Sequence, residues 1–142
     1  MTGAPWTADE LDRIGHAEEL EIAPRRPDGS LRRSVPIWVV CVGEELYVRS
    51  WRGDSGSWYR TARSTHQGHI CAGGVDRNIS LDKVGDDFDD AVDAAYQAKY
   101  GRYSSYFEPM VVAPARATTL RLVPHATGEP DTTSASRGIG EL

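Results

Sequence analysis

The chain has 142 residues, a formal net charge of −5 and 39% hydrophobic residues. That is the length of one domain, with enough apolar content for a sizeable core. There is no apolar run of about 18 residues, which excludes a membrane-spanning helix. Charge is segregated: residues 1–24 carry six acids and one Arg, residues 25–63 eight Arg and four acids, and residues 82–93 six Asp and one Lys. The acidic flanks give no continuous basic surface and argue against nucleic acid as a partner. The basic middle suits a small anion, although Arg25, Arg26, Arg32 and Arg33 also read as solvated hairpin residues. No apolar leader precedes the first acids, so a cytoplasmic location is expected. Cys41 and Cys71 lack metal-ligand spacing and read as free, buried thiols.

The first predicted element is a helix from Ala8 to about Glu19. Thr7 and Glu10 make a capping box, and Leu11, Ile14 and Ala17 form its apolar stripe. Leu20–Ala23 reads as a short strand, and Pro27-Asp28-Gly29 as a turn. The run 33–42 is apolar at both odd and even positions, so a strand buried on both faces is expected. Gly43-Glu44-Glu45 turns the chain into a strand over 46–50, where Arg49 shares a face with Tyr47, opposite Val48. A helical turn over 57–63 follows. Two strands, 68–72 and 78–83, flank Gly73-Gly74-Val75-Asp76. A second helix is expected over 87–100, with Asp86 as N-cap and Gly101 as C′ residue. Phe88, Val92, Ala95 and Lys99 mark its inner stripe. Residues 116–123 read as the last strand. Residues 126–142, rich in Gly, Thr and Ser, read as a flexible tail after a single domain over 1–125. About six strands with two peripheral helices indicate an antiparallel barrel.

The loop from Arg49 to Arg60 carries the candidate site. Arg offers a planar donor fork, Ser a hydroxyl, and Gly an unobstructed backbone N–H. Arg49, Ser50, Arg52, Ser57 and Arg60 supply that set for a phosphate. Trp51 and Trp58 can wall or stack on a flat ring. The competing reading is a surface loop with Trp58 in the core and Arg49 paired to a local acid. Tyr96, Lys99, Tyr100, Arg102 and Tyr103 form a second polar-aromatic cluster. Lys99 there either reaches an anionic ligand or extends past Tyr100 to water. His66 and His69 have no third ligand at supporting spacing, so no metal is assigned. The Asp cluster lacks the positions of a calcium loop. Nucleophile-elbow, phosphate-loop and dinucleotide motifs are missing, and no catalytic acid, base or nucleophile is nominated.

IWVVCVGEELYVRSWRG over 37–53, Trp58-Tyr59-Arg60, AAYQAKYGRY over 94–103 and ATTLRLVP over 117–124 together resemble the bacterial DUF2255 family. The pattern is more distantly similar to flavin- and deazaflavin-binding split barrels of the pyridoxamine-phosphate oxidase type. The resemblance implies a six-stranded antiparallel split β-barrel, a homodimer, and a cofactor at the subunit boundary. It implies a small-molecule oxidoreductase using FMN or a deazaflavin, held by Arg49, Ser50, Trp51, Arg52, Ser57, Trp58, Arg60 and Lys99. The loop Ser50–Gly56 departs from the Lys-bearing phosphate loop of such barrels: Asp54 repels a phosphate and Trp51 is bulky. That departure keeps two alternatives open, a cofactor-free module for a small anionic or aromatic ligand and a cofactor-independent catalytic barrel.

Overall fold

The structure is a computed structural model that describes residues 6–103 and 108–125, without the side chains of Asp54, Glu108 and Ala113. The tail assigned to 126–142 and the Asp54 carboxylate therefore lie outside the described residues. Helix α1 spans Ala8–Gly15 and starts on the expected capping box: the Glu10 N–H donates to Thr7 Oγ1 at 3.1 Å, and the Thr7 N–H to Glu10 Oε1 at 3.0 Å. It stops four residues before the expected end. His16 caps it, and the chain then extends so that the Glu18 carbonyl can accept the Tyr100 hydroxyl at 2.9 Å.

Strands β1 (Leu20–Pro24), β2 (Val35–Ile37), β3 (Val39–Val42), β4 (Glu45–Val48), β5 (Gln67–Ala72), β6 (Val75–Lys83) and β7 (Leu120–Pro124) form one sheet, all antiparallel. Its order is β2-β1-β5-β6-β7-β4-β3. The two edge strands are consecutive in the chain and separated only by Trp38. The expected strand over 33–42 is thus one run broken at Trp38. Its first half pairs with β1 (Leu20 opposite Ile37) and its second with β4 (Val39 opposite Val48). A single strand shared between both ends of a sheet all but closes it into a barrel, which removes most of the exposed edge. The structure is a nearly closed split barrel, of six strand runs if β2 and β3 count as one.

Inside the barrel, Leu46, Leu122 and Leu81 stand side by side on β4, β7 and β6. Ile22, Ile70, Ile79, Val48 and Leu120 join them, all with no exposed surface. Ile14 comes from α1, and Tyr59 and Ala62 from helix α2 (Ser57–Thr65). Trp6 covers this core and donates its indole N–H to the Leu122 carbonyl at 3.0 Å. Burial on both faces, expected along the whole run 33–42, holds only at Val39 and Val40; Pro36 is exposed and the other residues of β2 and β3 are half-buried.

Helix α3 (Asp89–Tyr100) packs on the outside of β3 and β4. Its buried stripe is Val92, Tyr96 and Tyr100, spaced four apart, rather than 88-92-95-99. Phe88 is exposed, and Lys99 is half-buried beside the stripe. Aromatic rings outcompete Ala95 for the contact because they bury more apolar surface. A one-turn helix at Asp86–Phe88 precedes α3, so Phe88 rather than Asp86 occupies its N-cap. Gly101, expected at C′, is the C-cap of α3, in a right-handed conformation. The last strand, expected over 116–123, begins only at Leu120: Arg116 ends a short helix (Ala113–Arg116), residues 117–118 form a turn, and a one-turn helix at Glu108–Val111 lies before them. Cys41 is half-buried and Cys71 exposed, both as free thiols, which corrects the expectation that both are buried. Arg25 is buried, its guanidinium bound to the Gly29 carbonyl at 2.7 Å, and so is no solvated hairpin residue.

The β5–β6 hairpin turns on two residues, Gly73 and Gly74, with φ of +56° and +85°. Both central residues of such a turn need positive φ. A Cβ on Gly73 would also lie 2.4 Å from the Arg13 carbonyl oxygen, on the backbone of α1. Gly73→Ala is therefore expected to cost about 2 kcal/mol or more, from left-handed strain plus displacement of α1. Equilibrium urea unfolding would measure this, and a loss near zero would contradict the packing described.

Candidate functional site

A cleft of about 670 Å³ opens on the barrel's flank where the sheet is not fully closed. One wall is the broken strand run 35–38. A second is the stretch from Arg49 to Trp58, and Glu18, Glu19, Tyr103 and Met110 complete it. Its size lies within the range of about 300–1,000 Å³ common for small-molecule sites.

Arg49 forms part of this lining but spends its guanidinium inward. Alternation along β4 puts it on the face of Tyr47, toward α3. Its Nη1 meets Asp93 Oδ1 at 2.5 Å and donates to the Met110 carbonyl at 2.8 Å. Its Nη2 lies 3.5 Å from Asp89 Oδ1, and its Nε donates to Thr119 Oγ1 at 2.9 Å. The Tyr96 ring lies beneath it, 5.6 Å from centroid to guanidinium carbon. Burial, with the neighbouring Tyr100, holds the Tyr96 hydroxyl far above its usual ionisation range, against the opposite pull of the Arg49 guanidinium.

Ser50 follows with its backbone fixed. Its N–H donates to Thr118 Oγ1 at 2.8 Å, and its carbonyl accepts the Gly53 N–H at 3.0 Å. Its hydroxyl is buried and has no hydrogen-bond partner among the described residues. Trp51, 47% exposed, and the exposed Arg52 stand at the cleft's rim, with the guanidinium 5.9 Å from the Trp51 ring centroid. A one-turn helix over Gly53–Ser55 leads to Gly56, the N-cap of α2, which no described side chain caps. Ser57 is exposed and Trp58 half-buried, and both line the cleft.

The opposite end has the reverse character. Glu18 Oε2 accepts the Tyr103 hydroxyl at 2.8 Å, and Glu18 Oε1 lies 3.3 Å from Arg102. Trp38 stacks on Tyr100 with centroids 3.9 Å apart and planes 4° from parallel. The cleft is therefore donor-bearing at Arg52 and Ser57, carboxylate-lined at Glu18 and Glu19, and aromatic between.

Of the expected site residues, Arg49, Ser50, Trp51, Arg52, Ser57 and Trp58 come together here. Arg60 lies exposed on α2, apart from the lining. Lys99 also lies off the cleft, donating to the Val39 carbonyl at 2.8 Å and sitting 5.0 Å from the Tyr100 ring. Burial lowers the Lys99 amine to about 8, against the pull of Glu18 and Cys41. Glu18, Glu19, Trp38 and Met110 are outside the expected set, and Tyr103 comes from the second polar-aromatic cluster rather than the loop. They come from four separate parts of the chain, and no spacing signal connects them. Gly56, inside the expected loop, stands immediately before the start of α2. His66 takes the left-handed cap of α2 at φ +59° and bonds the Leu81 carbonyl through Nδ1 at 3.1 Å. His69 bonds Asn78 and Asp76 across the β5–β6 hairpin. Among the described residues no helix is long and apolar enough to cross a membrane.

An antiparallel sheet all but closed on itself through a strand shared by both edges, with a lateral cleft, defines the split-barrel class. The chain belongs to DUF2255, a family described as uncharacterized proteins conserved in bacteria, whose model matches residues 10–122. No curated protein matches it. Among solved structures it is similar to a protein of unknown function from Agrobacterium tumefaciens, at 12% identity and a TM-score of 0.57, covering 87% of this chain and 56% of that one. It is also similar to a FAD-binding protein from Mesorhizobium loti, at 14% identity and a TM-score of 0.52, covering 85% and 90%. An F420 reductase matches at 13% identity and a TM-score of 0.48, covering 81% and 90%.

Removing Arg49 leaves the carboxylates of Asp89 and Asp93 with only the partly exposed Arg116, and the buried Met110 carbonyl without its guanidinium donor. Arg49→Ala is expected to destabilise the fold by about 3 kcal/mol, and Arg49→Lys to recover little, because one ammonium cannot serve acceptors on several sides. Urea unfolding checks this; a loss under about 1 kcal/mol would contradict a structural role of that size.

Lys99 gives a pH signature of definite sign. Its amine is depressed in the folded state to about 8 from an ordinary 10.5. Below about 8 it is protonated in both states, and the fold bears the cost of burying the charge. Between these values the unfolded chain binds more protons, so stability rises with pH. Relative to Lys99→Met, the wild type should gain stability from pH 7 to pH 10, measured as the difference between their unfolding midpoints. A constant difference would contradict the depressed amine.

Proposed function

We propose that the cleft binds a flavin-type cofactor, FMN or a deazaflavin, and that the protein is an oxidoreductase acting on a small molecule. The observation that carries this reading is the cleft itself: about 670 Å³ in a split barrel, lined by the indoles of Trp38, Trp51 and Trp58. Flat rings gain most from such walls, by stacking and by burial of apolar area. The fold shared with the Mesorhizobium loti FAD-binding protein supports the same reading. The residues present fit the group, since the exposed Arg52 and Ser57 offer donors at one wall of the cleft beside the three indoles.

When bound, a flavin or deazaflavin supplies hydride chemistry that no side chain provides. The chain's share is to bind and orient. Trp38, fixed by its stack on Tyr100, presents a rigid wall. Trp58, half-buried beside the α2 start, bounds the site near the donor-rich end. Glu18 and Glu19 accept hydrogen bonds from an N–H-bearing ring edge or a cationic substrate, and they repel a second anionic group. One negatively charged end is therefore favoured over two.

Titration with FMN, FAD and a deazaflavin, followed by fluorescence quenching, tests the proposal. Saturable binding of at least one is expected, weakened about fivefold by Trp38→Ala, the scale of a lost aromatic contact. Absence of saturable binding for all three would overturn it. The carboxylate-lined end favours one second reading, a cofactor-free site for a small donor-bearing or cationic ligand. Thermal-shift stabilisation by such ligands but not by flavins would select it.

A further inference from the structure

We propose that the arginine face formed by the β1–β2 connection (25–34) and the outer side of α2 docks an acidic segment of a partner protein, one that carries an apolar side chain among its carboxylates. This face is separate from the cleft's ligand and does not rest on the flavin reading.

The observation that carries it is the way charge is paired. Arg13, Arg49, Arg77, Arg102, Arg116 and Arg121 each lie within 4.0 Å of a carboxylate. Arg26, Arg32, Arg33, Arg60 and Arg63 have no carboxylate partner among the described residues. All five belong to two adjoining pieces of chain. Residues 25–34 contain four Arg and one acid, Asp28, and α2 contains two Arg and no acid. The fold lays one piece on the other. Arg32 Nη1 donates to the Ser57 carbonyl at 2.7 Å and to Thr61 Oγ1 at 3.2 Å, and Thr65 Oγ1 donates to the Arg25 carbonyl at 2.7 Å. Asp28 turns its Oδ1 to its own turn, accepting the Ser30 N–H at 2.9 Å and the Ser30 hydroxyl at 2.7 Å. Tyr59 and Ala62 occupy the buried side of α2, and Arg60 and Arg63 stand exposed away from it.

Crowding like charges on one face costs stability by self-repulsion, and carboxylates from outside relieve it. The chain has 21 acids, so the surplus on this face reflects where they are placed and not a shortage of them. Arginine is suited to the task because its planar fork stays charged and meets a carboxylate bidentately. Two of the guanidiniums are already ordered, Arg32 by its bonds to α2 and Arg63 by the Tyr59 ring, 5.9 Å from centroid to guanidinium carbon. Less side-chain entropy is then lost on docking.

Two features favour an acidic protein over nucleic acid. Leu31, 39% exposed, stands between Arg26 and Arg32 along the chain, and Arg26 Nη1 donates to its carbonyl at 3.2 Å. An apolar side chain among arginines suits a protein interface, whereas a phosphate backbone gains nothing from it. The second feature is reach. The nine residues of α2 extend roughly 13 Å, the span of about four residues of extended peptide. A short acidic segment is satisfied within that span. A long polyanion would run on over a chain whose net charge is −5.

The test is fluorescence anisotropy with the full chain and a labelled peptide, Glu-Glu-Leu-Glu-Glu-Leu-Glu-Glu. Saturable binding is expected, about tenfold or more tighter than to the same peptide with Gln for Glu, and weakening as salt is added. The double variant Arg60→Gln, Arg63→Gln should weaken it about fivefold, and Arg60→Glu, Arg63→Glu further. Both should keep or raise the melting temperature of the ligand-free protein, because they relieve like-charge crowding. Arg13→Gln, beside Gly73 at the end of β5 away from α2, should leave binding unchanged. Absence of saturable binding, equal binding of the Glu and Gln peptides, or undiminished binding by both double variants would overturn the proposal. Tighter binding of a single-stranded oligonucleotide of equal charge would give the face to nucleic acid and overturn the protein partner. A wild-type dimer in sedimentation that Arg60→Glu, Arg63→Glu converts to monomer would give it to a second copy of this chain, with the same consequence.

Discussion

Arg49 enters the junction between β4, α3 and the helical stretch after residue 108 with its side chain fully buried, and everything around the cleft is arranged to satisfy it. A buried guanidinium is costly unless nearly all its donors find acceptors. Here the acceptors come from α3 (Asp89, Asp93), from the Met110 carbonyl, and from Thr119 at the entrance to β7. Arg116 adds a second cation to the same pair of carboxylates, its Nε 3.2 Å from Asp93 Oδ2. The network fastens three separate pieces of chain at one point. Ser50 is the next residue, and its N–H is anchored to Thr118. The backbone at this side of the cleft is therefore anchored both at Arg49 and at the residue that follows it.

A second constraint sets the cleft's opening. The run through β2 and β3 serves both edges of the sheet, and the break at Trp38 is where it changes partner. A regular strand there would pair on one side only and leave the sheet open. Trp38 is held by its stack on Tyr100, whose hydroxyl also reaches the Glu18 and Val39 carbonyls at 2.9 and 3.3 Å. The same contacts that nearly close the barrel thus give the cleft one of its walls.

Local chemistry in the sequence revealed the elements that depend on local chemistry. The α1 capping box, the turn at Gly29 and the helix after Gly56 follow from residue types within a few positions of one another. The six-run barrel followed from counting apolar runs. The errors arose where a distant group decided. α1 ends early because its next residues are needed against Tyr100. The inner stripe of α3 is set by Tyr96 and Tyr100 meeting β3 and β4, and a helical wheel gives several stripes nearly equal weight. The helical stretch before β7 has too little periodicity to identify. In the site, residues 49–58 are close in sequence and could be grouped. The other half, from Glu18 to Met110, is assembled by the fold alone. Arg49 was correctly placed on the face of Tyr47, but no pattern could reveal Asp89 and Asp93 waiting on that face.

The division of labour between the two kinds of donor follows from geometry. An arginine fork is a strong anion receptor, yet here the strongest one beside the cleft is occupied internally, where it contributes to the fold. What faces the cleft instead is the exposed Arg52 and Ser57, the carboxylates of Glu18 and Glu19, and the indole walls between. The exposed Arg52 adds charge without being needed to hold the structure together. The anchoring of the cleft and the chemistry it presents therefore come from different residues, so a substitution at Arg49 registers first in stability.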